Sequence, residues 1–220
     1  MKRASGILLP VASLPSKYGI GCFSKEAYAF IDKLVEAGQS YWQILPLSPT
    51  SYGDSPYQSF SSFAGNPYFI DPDALVEEGL LTQEECEEFD FGSNPVQIDY
   101  EKQYRQRFRL LRLAYGRSRI AENPEFSRFT AENADWLEDY ALFMAVKERF
   151  DGAAWNEWAE DIRKRWSFAM DYYRRECYFD IEFYKYLQFV FFGQWMKLKQ
   201  YANAKGIRII GDIPIYVAFD

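Results

Sequence analysis

Apolar residues follow two rhythms along this chain. Ile7-Leu8-Leu9 is an unbroken apolar run closed by Pro10, and residues 41–47 form a short, mostly apolar stretch that ends in a proline-containing turn. Short runs bounded by breakers predict buried strands. Between them Ala27, Phe30, Ile31, Leu34 and Val35 recur at helical spacing, with Ser24 at an N-cap position and Gly38 at a C′ stop. Strand, loop, helix, strand predicts a parallel βαβ unit.

The rhythm breaks at residues 48–71, which are rich in Ser, Tyr, Gly, Pro, Asn and Phe and show no helical period. A long loop after a strand is uncommon unless it is functional. Helical patterning follows. Thr82-x-x-Glu85 is a capping box, Tyr104, Phe108, Leu111 and Tyr115 mark one stripe, and Leu137, Tyr140, Ala141, Met144 and Ala145 mark another. Trp155, Trp158 and Trp166 stand in polar surroundings. Ile181, Tyr184, Leu187, Phe191, Trp195, Leu198 and Tyr201 then predict a strong amphipathic helix ended by Gly206, and Ile207 to Ile210 a third strand. The expected division is residues 1–73 with two strands and the long loop, 74–180 as a mainly helical insertion, and 181–220 with a helix and a strand. This is an α/β pattern. Three parallel strands with large loops at their C-terminal ends resemble the opening of a (β/α)₈ barrel, whose active sites lie at that face.

Composition narrows the chemistry. The 220 residues include no histidine, so acid–base work falls to Asp, Glu, Tyr, Lys or Cys, and neither a histidine relay nor a histidine-based zinc site can be built from them. The net charge of −7 argues against a nucleic-acid partner. Cys22, Cys86 and Cys177 are widely spaced and form no C-x-x-C, which points to a reducing cytoplasm and no metal. No apolar run approaches a membrane span, and no cofactor is implied. Phe, Tyr and Trp make 19% of the chain, enough for a ring-rich core or for exposed platforms that stack on sugars.

Tyr52-Gly53-Asp54-Ser55-Pro56-Tyr57-Gln58-Ser59 places two tyrosines, a carboxylate, a hydroxyl and an amide just beyond the second strand. Tyrosine rings stack on sugar faces while Asp, Ser and Gln bond to hydroxyls. A solvated turn with two packing tyrosines is the other reading of these residues. Asp212 follows the third strand directly. It is either a group at the barrel mouth or a loop carboxylate bonded to a nearby backbone N–H.

Gly6-Ile7-Leu8-Leu9-Pro10, Ser13-Leu14-Pro15-Ser16, Gly19-Ile20-Gly21 and Trp42-Gln43-Ile44-Leu45-Pro46-Leu47 resemble the opening of the amylomaltases, the 4-α-glucanotransferases also called disproportionating enzymes. The stretch from Tyr52 to Pro67 is the most distinctive, and Gly211-Asp212-Ile213-Pro214-Ile215-Tyr216-Val217-Ala218 is similar to the family's third-strand motif. The resemblance runs from Ser5 to Asp220. It implies a (β/α)₈ barrel with inserted subdomains and transfer of an α-1,4-glucan segment to the 4-hydroxyl of another glucan, with retention through a glycosyl-enzyme. It further implies that Tyr57, Ser55 and Asp212 line substrate near the scissile bond. It implies as well that Tyr52 belongs to a second glucan site, with Tyr100 as its partner. α-1,4-Glucans and maltooligosaccharides are the implied ligands.

The family's nucleophile lies in an Arg-x-Asp-His motif on the fourth strand, its general acid on the fifth, and a His-Asp pair on the seventh. With three strands and no histidine, this chain is expected to be the front portion of such an enzyme, without catalytic carboxylates and dependent on a C-terminal half. Retaining carboxylates stand about 5–5.5 Å apart, and nothing in the spacing of Asp54 and Asp212 assigns them that task. An α-glucan hydrolase of the α-amylase class and a non-catalytic glucan-binding fragment are the alternatives. An open, apolar third strand is an edge that invites pairing, so the chain alone is expected to be marginal or oligomeric.

Overall fold

The computed structural model describes residues 3–50, 53–94, 96–214 and 216–220. In chain order it gives β1 (Gly6–Leu8), a 3-10 turn (Val11–Ser13), α1 (Lys25–Glu36) and β2 (Tyr41–Gln43). The long loop contains β3 (Gln58–Ser59) and a second 3-10 turn (Pro67–Phe69), and leads into α2 (Pro72–Glu77) and α3 (Gln83–Glu87). One helical stretch then joins α4 (Tyr100–Lys102), a π-helical segment (Gln103–Arg107) and α5 (Phe108–Arg117). Next come α6 (Pro124–Glu132), α7 (Ala134–Arg149), α8 (Glu160–Arg163) and α9 (Ser167–Glu176). The chain closes with α10 (Tyr178–Ala204), β4 (Arg208–Ile210) and β5 (Tyr216–Val217).

β1, β2 and β4 form a parallel sheet in that order, with Ile7 opposite Trp42 and Trp42 opposite Ile209. Sequential parallel strands joined through helices are the beginning of a barrel wall. Among the described residues of this sheet, the middle strand alone has a neighbour on both edges. Trp42 is fully buried and its indole N–H donates to the Leu9 carbonyl at 2.8 Å. The first and third strands are not the buried strands the apolar runs predict: Ile7 and Leu8 are 42% and 55% exposed, and Ile210 is 43% exposed. Each is an edge with a partner on one side only.

Local signals fare unevenly. The capping box closes as predicted, with Glu85 N–H on the Thr82 hydroxyl at 3.2 Å and Thr82 N–H on the Glu85 carboxylate at 3.0 Å. Gly38 takes φ +66° and ends α1, with Gly38 N–H on Val35 O and Gln39 N–H on Leu34 O. Ser24 sits at the N-cap but donates its hydroxyl to Glu26 instead of accepting from the helix. The stripe through Tyr104 is corrected as well. The π-helical turn rotates Gln103 and Arg107 into the interior and leaves Tyr104 60% exposed. Trp158 is buried, whereas Trp155 and Trp166 are exposed.

α10 is longer and more central than an amphipathic surface helix. Its 27 residues span about 40 Å, and Phe183 through Gln188 are buried without interruption. A helix buried on every side is a core helix; α10 packs on α7, α5 and α6 of the helical region and on α1 and β4 of the sheet. The expected divisions after residues 73 and 180 therefore fall inside α2 and α10, and one apolar core runs through all three segments.

Two glutamines on α10 face the long loop. Gln188 accepts from Gly65 N–H at 2.7 Å and donates to Gly65 O at 3.0 Å. Gln194 treats Asp71 in the same way, at 2.7 and 3.2 Å. Each side-chain amide stands in for a neighbouring strand. A Cβ at Gly65 would lie 2.1 Å from the Phe191 ring, so only glycine lets the loop approach this closely. On the other side Gln103 donates to Tyr18 O and Phe91 O, and the fully buried Arg107 donates to Ile70 O, Tyr18 O and Gln103. Asp71 lies beside this arginine and the Cys22 thiol. Burial pushes its carboxyl up to about 6, against the lowering by the Asp73 backbone N–H, while the Cys22 thiol is pushed up to about 12.

Two outcomes follow from this packing. Gln188→Leu strands the N–H and C=O of Gly65 in the interior and should cost about 2–4 kcal/mol in urea denaturation. Asp71 has a folded-state pKa above its unfolded value of 3.8, so its contribution is greatest below pH 3.8 and is lost as pH rises through about 6. Asp71→Asn should therefore raise the urea midpoint at neutral pH, and its advantage should disappear as pH falls to 3.8.

Candidate functional site

The loops after β2 and β4 leave the sheet from the C-terminal ends of those strands. They meet at one contact: the Tyr57 hydroxyl donates to Asp212 Oδ2 at 2.6 Å across 155 residues of sequence. Asp212 Oδ1 accepts the Ile213 N–H at 2.9 Å, which fixes the carboxylate plane. Gln58 and Ser59 pair in parallel with Tyr216 and Val217, so the two loops form a second, two-stranded ribbon above the sheet. Ser55 shapes the turn, its hydroxyl accepting Tyr57 N–H at 3.4 Å and its carbonyl accepting Gln58 N–H at 3.1 Å. Ser55, Tyr57 and Asp212 are all half-buried. The hydrogen bond to Asp212 raises the Tyr57 phenol above its usual range, so at neutral pH it remains a donor. Such a pair offers a ligand a carboxylate acceptor and an aromatic face side by side.

Asp54 is not part of that pair, although sequence spacing groups it with Tyr57 and Ser55. It lines a pocket of about 200 Å³ together with Pro10, Leu47, Thr50, Asn66 and Tyr100. Gly53 and Asp54 both have positive φ, +88° and +57°. Two left-handed residues in succession reverse the chain, and Asp is among the few side chains that adopt this region readily. Burial raises the Asp54 carboxyl above the usual carboxylate range. Burial and then the Asp54 charge raise the Tyr100 phenol. Tyr52, the expected partner of Tyr100, lies outside the described residues.

The pocket has contributors that sequence reasoning passed over. The 3-10 turn directly after β1 supplies one wall. Buried Asn66 bonds to the Tyr68 N–H at 3.0 Å while its own N–H holds Leu47 O at 2.8 Å. Asn-Pro at 66–67 was a usable signal, since Asn before Pro marks a turn that its own side chain can cap. Among the described residues no group of three or more His, Cys, Asp or Glu is placed to hold a metal ion, and no helix is long and apolar enough to cross a membrane.

A family model described as 4-alpha-glucanotransferase matches residues 9–220. The 4-alpha-glucanotransferase of Clostridium butyricum is 50% identical over 210 residues, covering 96% of this chain and 43% of that protein. That of Thermus thermophilus is 45% identical over 224 residues, covering all of this chain and 44% of its own length. The chain thus spans less than half the length of these relatives. Among solved structures, the amylomaltase of Streptococcus agalactiae in complex with acarbose superposes with a TM-score of 0.93 at 44% identity, over 98% of this chain and 44% of that one. The amylomaltase of Corynebacterium glutamicum, at 18% identity and a TM-score of 0.66 over 97% of this chain and 30% of that one, shares the fold. The architecture is α/β: the first three strands of a (β/α)₈ barrel with a mainly helical inserted region.

The Tyr57–Asp212 contact predicts a titration. Asp212→Asn removes the charge and should move the Tyr57 phenol down toward its ordinary value of 10.0. Phenolate absorbance of the parent minus that of a Tyr57→Phe control isolates this group; an unmoved curve would show that the two side chains do not meet in solution.

Proposed function

The chain belongs to the 4-alpha-glucanotransferase family, and from that premise we propose that it is the N-terminal part of an enzyme that moves a segment of an α-1,4-glucan onto the 4-hydroxyl of another glucan or of glucose. The observation that carries this reading is the Tyr57–Asp212 hydrogen bond at the C-terminal ends of the strands, where barrel enzymes build their sites. Asp212 accepts from sugar hydroxyls. Tyr57 orients that carboxylate and offers its ring to a sugar face, and Ser55 sets the turn that aims Tyr57. The acarbose bound by the Streptococcus agalactiae enzyme supports an oligosaccharide as the ligand of this fold.

The reaction proceeds with retention. A carboxylate nucleophile forms a glycosyl-enzyme, and a second carboxyl first protonates the leaving oxygen and then activates the acceptor hydroxyl. Both groups come from the portion of the enzyme beyond these residues. The family resemblance places the nucleophile in an Arg-x-Asp-His motif on a later strand, so Asp212, hydrogen-bonded to Tyr57, and Asp54, in the neighbouring pocket, are read as substrate contacts. Tyr100 lines the 200 Å³ pocket together with Asp54, a substrate-contacting carboxylate in this reading, and Tyr100 belongs with Tyr52 to a second glucan site. Three buried free cysteines suit a reducing cytoplasm.

Maltotriose tests the reaction. An enzyme extended to the length of the relatives should yield both longer and shorter oligosaccharides without net gain of reducing ends, and the 220-residue chain should yield neither. Net gain of reducing ends by the extended enzyme would make it a hydrolase, and turnover by the 220-residue chain would place the nucleophile within it. Asp212→Asn in the extended enzyme should lower kcat/KM about 10- to 100-fold, the worth of a charge-assisted hydrogen bond to a sugar hydroxyl.

A further inference from the structure

The loop carrying Asp212 is anchored at its far end by the helical region. Lys147, in the last turn of α7, donates to Gly152 O at 2.9 Å, to Ala153 O at 3.2 Å and to the Asp220 carboxylate. Its ammonium has three protons and all three are used. The other Asp220 oxygen accepts Trp155 N–H at 3.0 Å, and the Trp155 indole N–H donates to Phe219 O at 2.9 Å. The Trp155 and Phe219 rings stack at 6.4 Å and 25°. Lys147 and Asp220 are only 17% and 18% exposed, so water screens this pair far less than the exposed pairs elsewhere on the helices.

We propose that Lys147 is a positioning residue, which sets the place of Asp212 and Tyr57 by fastening the segment after β4 to the end of α7. This rests on the reading of Asp212 and Tyr57 as glucan contacts. Among its described residues, the segment between Asp212 and Asp220 is held at three places: the Tyr57–Asp212 bond, the β3–β5 ladder, and the Lys147–Trp155–Asp220 cluster. The first two join one loop to another loop. The third is the link to a rigid element, because α7 packs along the buried helix α10. Consecutive left-handed residues, Asp151 at φ +53° and Gly152 at φ +80°, turn the chain after α7 so that the carbonyls of 152 and 153 face back onto the ammonium. The cluster also borders a cavity of about 290 Å³ between Phe60, Phe143, Trp158 and Asp220. Phe60 follows the β3 residues of the Tyr57 loop directly, so that loop and the cluster line the same cavity.

The test uses the full chain with Lys147→Met, Asp220→Asn and the conservative Lys147→Arg, and two readouts: the Tyr57 phenolate titration, isolated by the matching Tyr57→Phe background, and binding of maltoheptaose by calorimetry. Loss of the cluster should move the Tyr57 titration toward that of Asp212→Asn and weaken maltoheptaose binding about three- to tenfold, the range for one hydrogen bond, with recovery in Lys147→Arg. A Tyr57 titration unchanged in Lys147→Met and Asp220→Asn overturns the inference. So does loss of the helical circular-dichroism signal in both, which would make the cluster a support of the whole fold. If neither the parent chain nor the enzyme extended to the length of the relatives binds maltoheptaose, the glucan-contact reading fails, and the titration still decides whether Lys147 positions the pair.

Discussion

Buried backbone must find hydrogen-bond partners, and in this chain the loops between barrel strands run through the interior. The carbonyls of Tyr18, Ile70 and Phe91 and both polar groups of Gly65 and Asp71 are bonded by side chains rather than by neighbouring strands. Four residues do this: Gln103 and Arg107 from the π-helical turn, Gln188 and Gln194 from α10. Leaving even one such group unpaired costs a large share of a domain's net stability. The helical region is therefore a structural partner of the barrel loops and not an appendage. The π turn follows from the same need, since it brings Gln103 and Arg107 inward where a regular stripe would have placed Tyr104.

α10 passes this constraint on to the site. It packs against β4 and α1 at one end and against α5, α6 and α7 along its middle. By holding Gly65 and Asp71 it fixes the exit of the long loop whose early part bears Tyr57. By leading into β4 it fixes where Asp212 emerges. The two side chains meet because one helix sets the course of both loops. The exposed Ile7, Leu8 and Ile210 show the opposite condition, with apolar residues in strands that have a neighbour on one side only.

Polar contacts at the site sort the carboxylates. Asp212 is paired with Tyr57 and the Ile213 N–H, whereas Asp54 lines the pocket beside Tyr100, where burial raises its carboxyl. Two aspartates that look alike in sequence, each in a polar stretch beyond a strand, thus have different surroundings. Asp220 has a third environment, taken up by Lys147 and Trp155.

The βαβ order, the capping box at Thr82, the Gly38 stop and the long loop after the second strand were all legible by themselves, because each rests on local rules: apolar period, capping chemistry and breaker residues. The family motifs likewise sit in contiguous stretches. Strand burial was not legible, because it depends on how many neighbours a strand has and not on its own residues. The course of α10 was hidden as well. A stripe of period three to four marks one buried face, and only the elements packed around residues 183–188 bury the others. Nor could sequence separate Asp54 from Asp212 or join Lys147 to Asp220. Those relations span 155 and 73 residues in the Tyr57–Asp212 and Lys147–Asp220 contacts, and a contact across such a separation exists only once the intervening chain has packed.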